Sequence, residues 1–288
     1  MRQGYGGYYI TTYTDEGLEF YTVKDYFEKY LKGRGIVSEV KALAEEEAKY
    51  SKIMKILKGE YGKPKYVHIV THGKEGPALE VRNDKNWWEW WKSDWTDLTP
   101  QDVEKNLYQG QMSGCKLVFL SACYSLQNYK EEDSFGYVFV VWCGVENVIG
   151  SKGVINSYAM AMFAIAFYER YLAKSESFAQ AYADALSSTK EFFARLVEIG
   201  MQITLTIFNL KFQQWIAQLI FFIVEVAFDL YIAEQIANQI WHLDNIITVD
   251  ENTYSSSGSG GSTPGPGGGG GGGGGLGLIQ LLCKRGKH

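Results

Sequence analysis

A strand–helix–strand–helix–strand order over residues 8–72 predicts an α/β domain built on a largely parallel central sheet. Two hydrophobic runs point the same way: Tyr66-Val67-His68-Ile69-Val70-Thr71-His72-Gly73 and Lys116-Leu117-Val118-Phe119-Leu120-Ser121-Ala122-Cys123. Both are short, rich in β-branched or bulky apolar residues and bounded by loop formers, the pattern of a strand buried on both faces. Their ends supply the third observation. In an open α/β sheet, ligands sit outside the carboxyl ends of the strands, and that is where His72 and Cys123 fall.

The first element, Tyr8 to Tyr13, reads as a strand from its β-branched and aromatic content. Val23 to Leu31 sets Tyr26, Phe27 and Leu31 at helical spacing, and Gly33 and Gly35 stop it. A strand near 36–42 leads to a charged helix from 45 to about 57, ended by Gly59, Gly62 and Pro64 before the His72 strand. Residues 74–99 form a long excursion with a weak strand at Ala78 to Val81. Pro100 then opens a helix with Thr99 as its N-cap. The Cys123 strand is followed by an acidic loop (Glu131, Glu132, Asp133), an apolar segment from Phe135 to Trp142 and a short strand at 145–150. Amphipathic helices are predicted from about 157 to 172 and 177 to 196. Residues 199–243 are apolar on nearly all sides. The tail is Ser/Gly/Pro-rich with nine glycines in a row at 267–275, the composition of a flexible linker.

With 288 residues, 46% of them hydrophobic and 15% aromatic, the chain has ample core material for one large domain with appendages. The formal charge of −5 is spread without a basic run, which argues against nucleic acid as a partner. Cysteines at 115, 123, 143 and 283 have no C-x-x-C spacing, and the opening Met1-Arg2-Gln3-Gly4 runs into a tyrosine-rich strand rather than a signal peptide. The expectation is a cytoplasmic protein with reduced thiols, needing no metal or organic cofactor.

His68 and His72 make an H-x-x-x-H pattern that on a helix would suit zinc. In a strand the same spacing spans roughly 13 Å, too far for one ion, so His68 reads as a core histidine. His72, at the strand end, reads as a general base beside a Gly73 whose backbone N–H is open to an oxyanion, or as a loop-bonding histidine. A thiol and an imidazole on neighbouring strand ends are the minimum parts of a cysteine nucleophile with its base. Cys123 precedes a loop or helix N-terminus and has small neighbours in Ser121 and Ala122, a setting that favours a thiolate. Cys115 and Cys143 read as structural, and Cys283 as exposed in the tail.

A hydrophobic block ending in His-Gly, then one ending in Ala-Cys, resembles the caspase-like (clan CD) cysteine peptidases, including CHAT-domain and gingipain-type members. Gly144-Val145-Glu146-Asn147-Val148-Ile149-Gly150-Ser151 is similar to the CHAT segment after the cysteine, as are Phe167 to Leu172 and Ser177 to Ala185. The likeness covers about 60–190 and, by topology alone, 1–60. It implies a three-layer α/β/α sandwich and a cysteine endopeptidase acting on polypeptides through a thioester. In that reading Cys123 is the nucleophile, His72 the base, and the backbone N–H groups of Gly73 and Cys123 the oxyanion hole. Several relatives that prefer a basic residue carry an acid two places before the cysteine. Ser121 stands there instead, as a substrate-binding candidate, so a basic preference is not implied. The acids at 131–133 could supply that charge instead, though they read first as a solvated loop face.

Two segments depart from the family pattern. Trp87, Trp88, Trp90, Trp91 and Trp95 crowd the excursion between the motifs. They read as a packed flap, as a substrate flap with Trp87, Trp88 and Trp91 as binding residues, or as a membrane-interface loop. Residues 199–243 are long enough to span a bilayer, but Lys211 and several glutamines interrupt them. A central lysine costs about 2.5–3.5 kcal/mol on insertion, which favours helices packed on the core or on a second copy over membrane contact. The expected organisation is a peptidase domain over 1–195, an apolar helical extension over 196–250 and a Gly-rich tail over 251–288, where Lys284-Arg285 could be processed. A catalytically silent scaffold and a membrane-associated effector are the rival readings.

Overall fold

The computed structural model describes residues 5–11, 23–43, 47–84, 93–210, 240 and 242–255. The chain enters as β1 (Tyr5–Thr11), and α1 (Tyr26–Lys32) buries Phe27 and Leu31 on one face before Gly33 caps it. After β2 (Val37–Leu43), α2 (Tyr50–Leu57) buries Ile53, Met54, Ile56 and Leu57. This helix is shorter than the charged run predicts, because Lys49 is extended and forms a parallel bridge with Arg82. β3 (Tyr66–Val70) follows.

The excursion holds more structure than its sequence suggests. β4 (Gly73–Lys74), β5 (Ala78–Arg82) and β6 (Trp95–Leu98) make a small antiparallel sheet of their own. The tryptophan cluster at 87–91, with Trp87, Trp88 and Trp91, lies outside the described residues. Trp95 is within them, and the Arg82 guanidinium stacks 3.8 Å from its ring centre. α3 (Pro100–Asn106) starts on a reciprocal cap: Thr99 Oγ1 accepts the Asp102 N–H at 3.2 Å, and the Asp102 carboxylate accepts the Thr99 N–H at 2.9 Å.

β7 (Leu117–Ser121) is followed by α4 (Phe135–Tyr137), which widens into π turns through Trp142. β8 (Asn147–Ser151), α5 (Ser157–Tyr168), α6 (Phe178–Leu210), β9 (Ile246–Asp250) and α7 (Glu251–Ser255) complete the chain. The main sheet has the order β2-β1-β3-β7-β8-β9, parallel throughout except for β9. One face packs on α2, α3 and α4 through Val67, Ile69, Val118, Leu120 and Val148. The other packs on α1, α5 and α6 through Tyr66, Val70, Leu117, Phe119 and Ile149. Residues alternate between the two cores along β3 and β7, which is why both strands read as continuous apolar runs. The sheet is largely parallel, as the element order predicts, and the architecture is the α/β/α sandwich that the caspase-like resemblance implies.

Two features of the C-terminal third differ from the sequence expectation. α6 runs 33 residues, straight through Gly200, since one interior glycine costs only about 1 kcal/mol against alanine. The segment 196–250 is not helical to its end, because Ile246–Asp250 pairs antiparallel with β8 from Asn147↔Asp250 to Ser151↔Ile246. The Tyr182 hydroxyl donates to the Ile246 carbonyl at 2.7 Å and ties this strand to α6. α7 then returns Tyr254 to the core, where its hydroxyl donates to the Tyr129 carbonyl at 2.6 Å. Residues 211–239, most of the apolar stretch, and the tail from 256 with Cys283 and Lys284-Arg285, lie outside the described residues. Among the described residues, no helix is long and apolar enough to cross a membrane.

Candidate active site

The carboxyl ends of β3 and β7 are bonded to each other past the strands themselves. The last paired residues are Val70 and Ser121, and the Thr71 N–H then donates to the Ser121 carbonyl at 3.1 Å. The chain leaves the sheet there. Buried Thr71 turns its hydroxyl onto the Glu80 carbonyl, and the Glu80 N–H donates to the His72 carbonyl at 2.9 Å. β5 thus grips both residues, so His72 sits at a fixed turn and is exposed to solvent.

Gly73 closes the gap between the two motifs. A Cβ built on it would lie 1.7 Å from the Cys123 carbonyl oxygen and 3.0 Å from the Cys123 nitrogen. Only glycine permits that approach. The His72-Gly73 turn therefore lies directly on the Cys123 backbone, and the structure brings these three residues together as the sequence reading expects.

Beyond β7 the chain does not start a helix. Ala122 is buried, Cys123 half-buried, and Tyr124 takes a left-handed φ of 55°. A non-glycine residue in that region costs roughly 1–3 kcal/mol and persists only where surroundings hold it. Here they do: the Tyr124 N–H donates to the Gly153 carbonyl at 3.0 Å, and the Leu126 N–H to the Ser151 carbonyl at 2.8 Å. Between them, buried Ser125 donates to the Leu120 carbonyl at 3.2 Å and accepts the Ser151 N–H at 3.0 Å. Gly150 makes room for this stitching, since a Cβ there would lie 2.7 Å from Leu126 and 2.8 Å from Ser125 Oγ.

The thiol's own partner comes from the loop after β8. The Ile155 N–H donates to Cys123 Sγ at 3.4 Å, and the Cys123 thiol donates in turn to the Ile155 carbonyl at 3.6 Å. The N–H favours the thiolate and the carbonyl the protonated thiol, so the Ile155 peptide groups face the sulfur with both polarities. Ile155, Ser125 and Ser151 were beyond sequence reasoning because backbone donors and short serines carry no chemical signature of their own. The small residues of Gly150-Ser151-Lys152-Gly153 are the one hint that another segment passes close by. Ser121 is 3% exposed, which puts it beneath the surface that a substrate would meet.

The other histidine and cysteines fall elsewhere. His68 is stacked on Phe119 with ring centres 4.2 Å apart and hydrogen-bonded through Nδ1 to the Tyr168 hydroxyl at 3.1 Å. Burial pushes its pKa well below the usual value, so it is neutral. Cys115 packs its thiol 3.5 Å from the Leu117 carbonyl, and burial holds the Cys115 and Cys143 thiols up at about 12.

With this geometry in hand, the comparisons with known proteins decide the family. The model of the CHAT domain matches residues 19–195. The chain belongs to the CHAT-domain family. The matched span of this CHAT domain starts ahead of α1 and ends within α6, taking in His72, Gly73 and Cys123. Among solved structures, the complex of the pro- and mature domains of RgpB from Porphyromonas gingivalis aligns at 12% identity with a TM-score of 0.43. That alignment covers 65% of this chain and 43% of the other, a distant likeness. No curated protein matches this CHAT domain.

Proposed function

We propose that the chain is a cysteine endopeptidase in which Cys123 attacks the peptide carbonyl and His72 manages the protons. The observation that carries this reading is the contact of Gly73 with the Cys123 peptide, which sets an exposed imidazole and a half-buried thiol at one edge of the sheet. Membership of a caspase-like family supports it at the level of class.

The chemistry runs in two halves. His72 takes the thiol proton, the sulfur bonds to the scissile carbon, and the carbonyl electron pair moves onto oxygen. The N–H groups of Gly73 and Cys123 receive that oxyanion; such a donor contributes about 10²–10³-fold in rate. Collapse expels the amine, which takes its proton from His72, and leaves a thioester on Cys123. Water then gives a proton to His72 and attacks the thioester, releasing the acid and restoring the thiol. In sequence the tryptophan run at 87–91 stands between β5 and β6, strands of the small sheet that starts at Gly73. That connection supports a substrate flap carrying Trp87, Trp88 and Trp91; trimming 86–95 without changing peptide turnover would remove it.

The test is turnover of a fluorogenic peptide library varied at the residue before the cut, with wild type beside Cys123→Ala and His72→Ala. Cleavage lost in both variants is the expected result. A silent wild type whose Cys123 also ignores a peptidyl electrophile would overturn the reading in favour of a scaffold.

A further inference from the structure

We propose that Asn245 is a positioning residue for the Cys123 thiol, holding the 152–155 loop so that the Ile155 N–H faces sulfur. The inference deepens the peptidase reading and rests on it for what the thiol is used for. Asn245 lies one residue before β9, far along the chain from either motif. Its side-chain amide donates to the Val154 carbonyl at 2.7 Å, and its own carbonyl accepts the Lys152 N–H at 3.0 Å. It therefore grips the loop on both sides of Gly153, whose missing Cβ would lie 3.1 Å from the Asn245 amide.

The loop is clamped from its other side too. Ser151 Oγ donates to the Gly153 carbonyl at 2.7 Å and accepts the Gly153 N–H at 3.2 Å, while that same carbonyl accepts the Tyr124 N–H. Two peptides on, the Ile155 N–H meets Cys123 Sγ at 3.4 Å. The amide bond to Val154 is the last tether before Ile155. Releasing it leaves the donor to the thiol held only by the neighbouring chain.

The Ile155 N–H favours the thiolate, while the Ile155 carbonyl, which accepts from the thiol at 3.6 Å, favours the protonated form. Displacement of this residue is therefore read in the thiol's titration. Among the described residues, the titratable and charged groups of segments 71–73, 121–126, 151–155 and 242–245 are, besides Cys123, His72, Tyr124, Lys152, His242 and Asp244, the last paired with Lys190. A change at Asn245 alters none of them, and asparagine carries no charge. A moved titration would therefore report the moved Ile155 backbone groups.

The experiment measures alkylation by iodoacetamide against pH, from about 5 to about 10, on the full chain with Cys283→Ser as background. Cys115 and Cys143, held up at about 12, contribute little across that window. Asn245→Ala is expected to move the midpoint by about one unit, which changes the alkylation rate about tenfold at pH values below it. Gly153→Ala, which crowds the amide from the loop side, should move it in the same direction and serves if Asn245→Ala does not fold. Wild-type midpoints in folded variants would overturn the proposal and make Asn245 a purely structural link. The peptidase reading stands apart: a shifted profile without peptide turnover sinks that reading alone, and turnover with unshifted profiles sinks this one alone.

Discussion

The stretches around β3 and β7 each carry the same reactive residue type twice, once buried and once just past the carboxyl end of the strand. His68 and Cys115 belong to the interior. The imidazole is clamped between Phe119 and Tyr168, and the thiol is turned onto main-chain carbonyls, with burial holding one neutral and the other protonated. His72 and Cys123 stand past the last strand pairs, one exposed on a turn and the other receiving an N–H from Ile155. The side chains are the same, but the low-dielectric interior removes the charged forms that chemistry needs, and the sheet edge keeps them within reach of water and oriented dipoles.

The largest test of that contrast is chemical. A thiol at about 12 holds roughly 10³-fold or more less thiolate at neutral pH than an ordinary cysteine. An electrophile at pH 7 should thus label Cys123 and spare Cys115 and Cys143, as peptide mass mapping would show. Labelling of Cys115 at a comparable rate would break the comparison. Next comes Gly73→Ala, whose new methyl would fall on the Cys123 carbonyl. The turn must move by an ångström or more, so turnover should drop at least about 100-fold, with a stability loss of roughly 1–3 kcal/mol in urea unfolding. Unchanged kinetics would mean that the Gly73 contact does not align the site.

The interior histidine sharpens the other side of the comparison. Its folded pKa is depressed, so below the unfolded value of about 6.5 the unfolded chain takes up a proton that the folded one refuses. Stability contributed by neutral His68 is full above that pH. It should fall by up to about 1.4 kcal/mol per pH unit as pH drops towards the folded pKa. His68→Phe should flatten that slope in denaturation curves taken between pH 4 and 7, roughly spanning the unfolded pKa. The smallest effect is expected from Tyr168→Phe, which removes the hydroxyl from His68 Nδ1 for about 1 kcal/mol and leaves peptide turnover unaltered.

Much of the sandwich was legible because local pattern and tertiary role agree. β3 and β7 are apolar on both faces because both faces are covered, and Thr99-Pro100-Gln101-Asp102 spells its own helix start. Legibility failed where a segment's partner is remote. β4 and β6 are short strands that exist only against β5, and Ile246–Asp250 becomes a strand only because β8 offers an edge to pair with. Neither pairing leaves a periodicity long enough to read.

The candidate site divides in the same way. By itself the sequence determined the chemical types at the strand ends, the histidine next to its glycine and the cysteine after its small residues, because strand direction and apolar runs are local properties. Only the tertiary structure decided that Gly73 lies on the Cys123 peptide, that Tyr124 is held left-handed, and that the thiol's donor is a main-chain N–H at Ile155 steadied from Asn245. Backbone groups are the same at every residue. What they touch is fixed by how distant segments pack, which no single stretch of sequence contains.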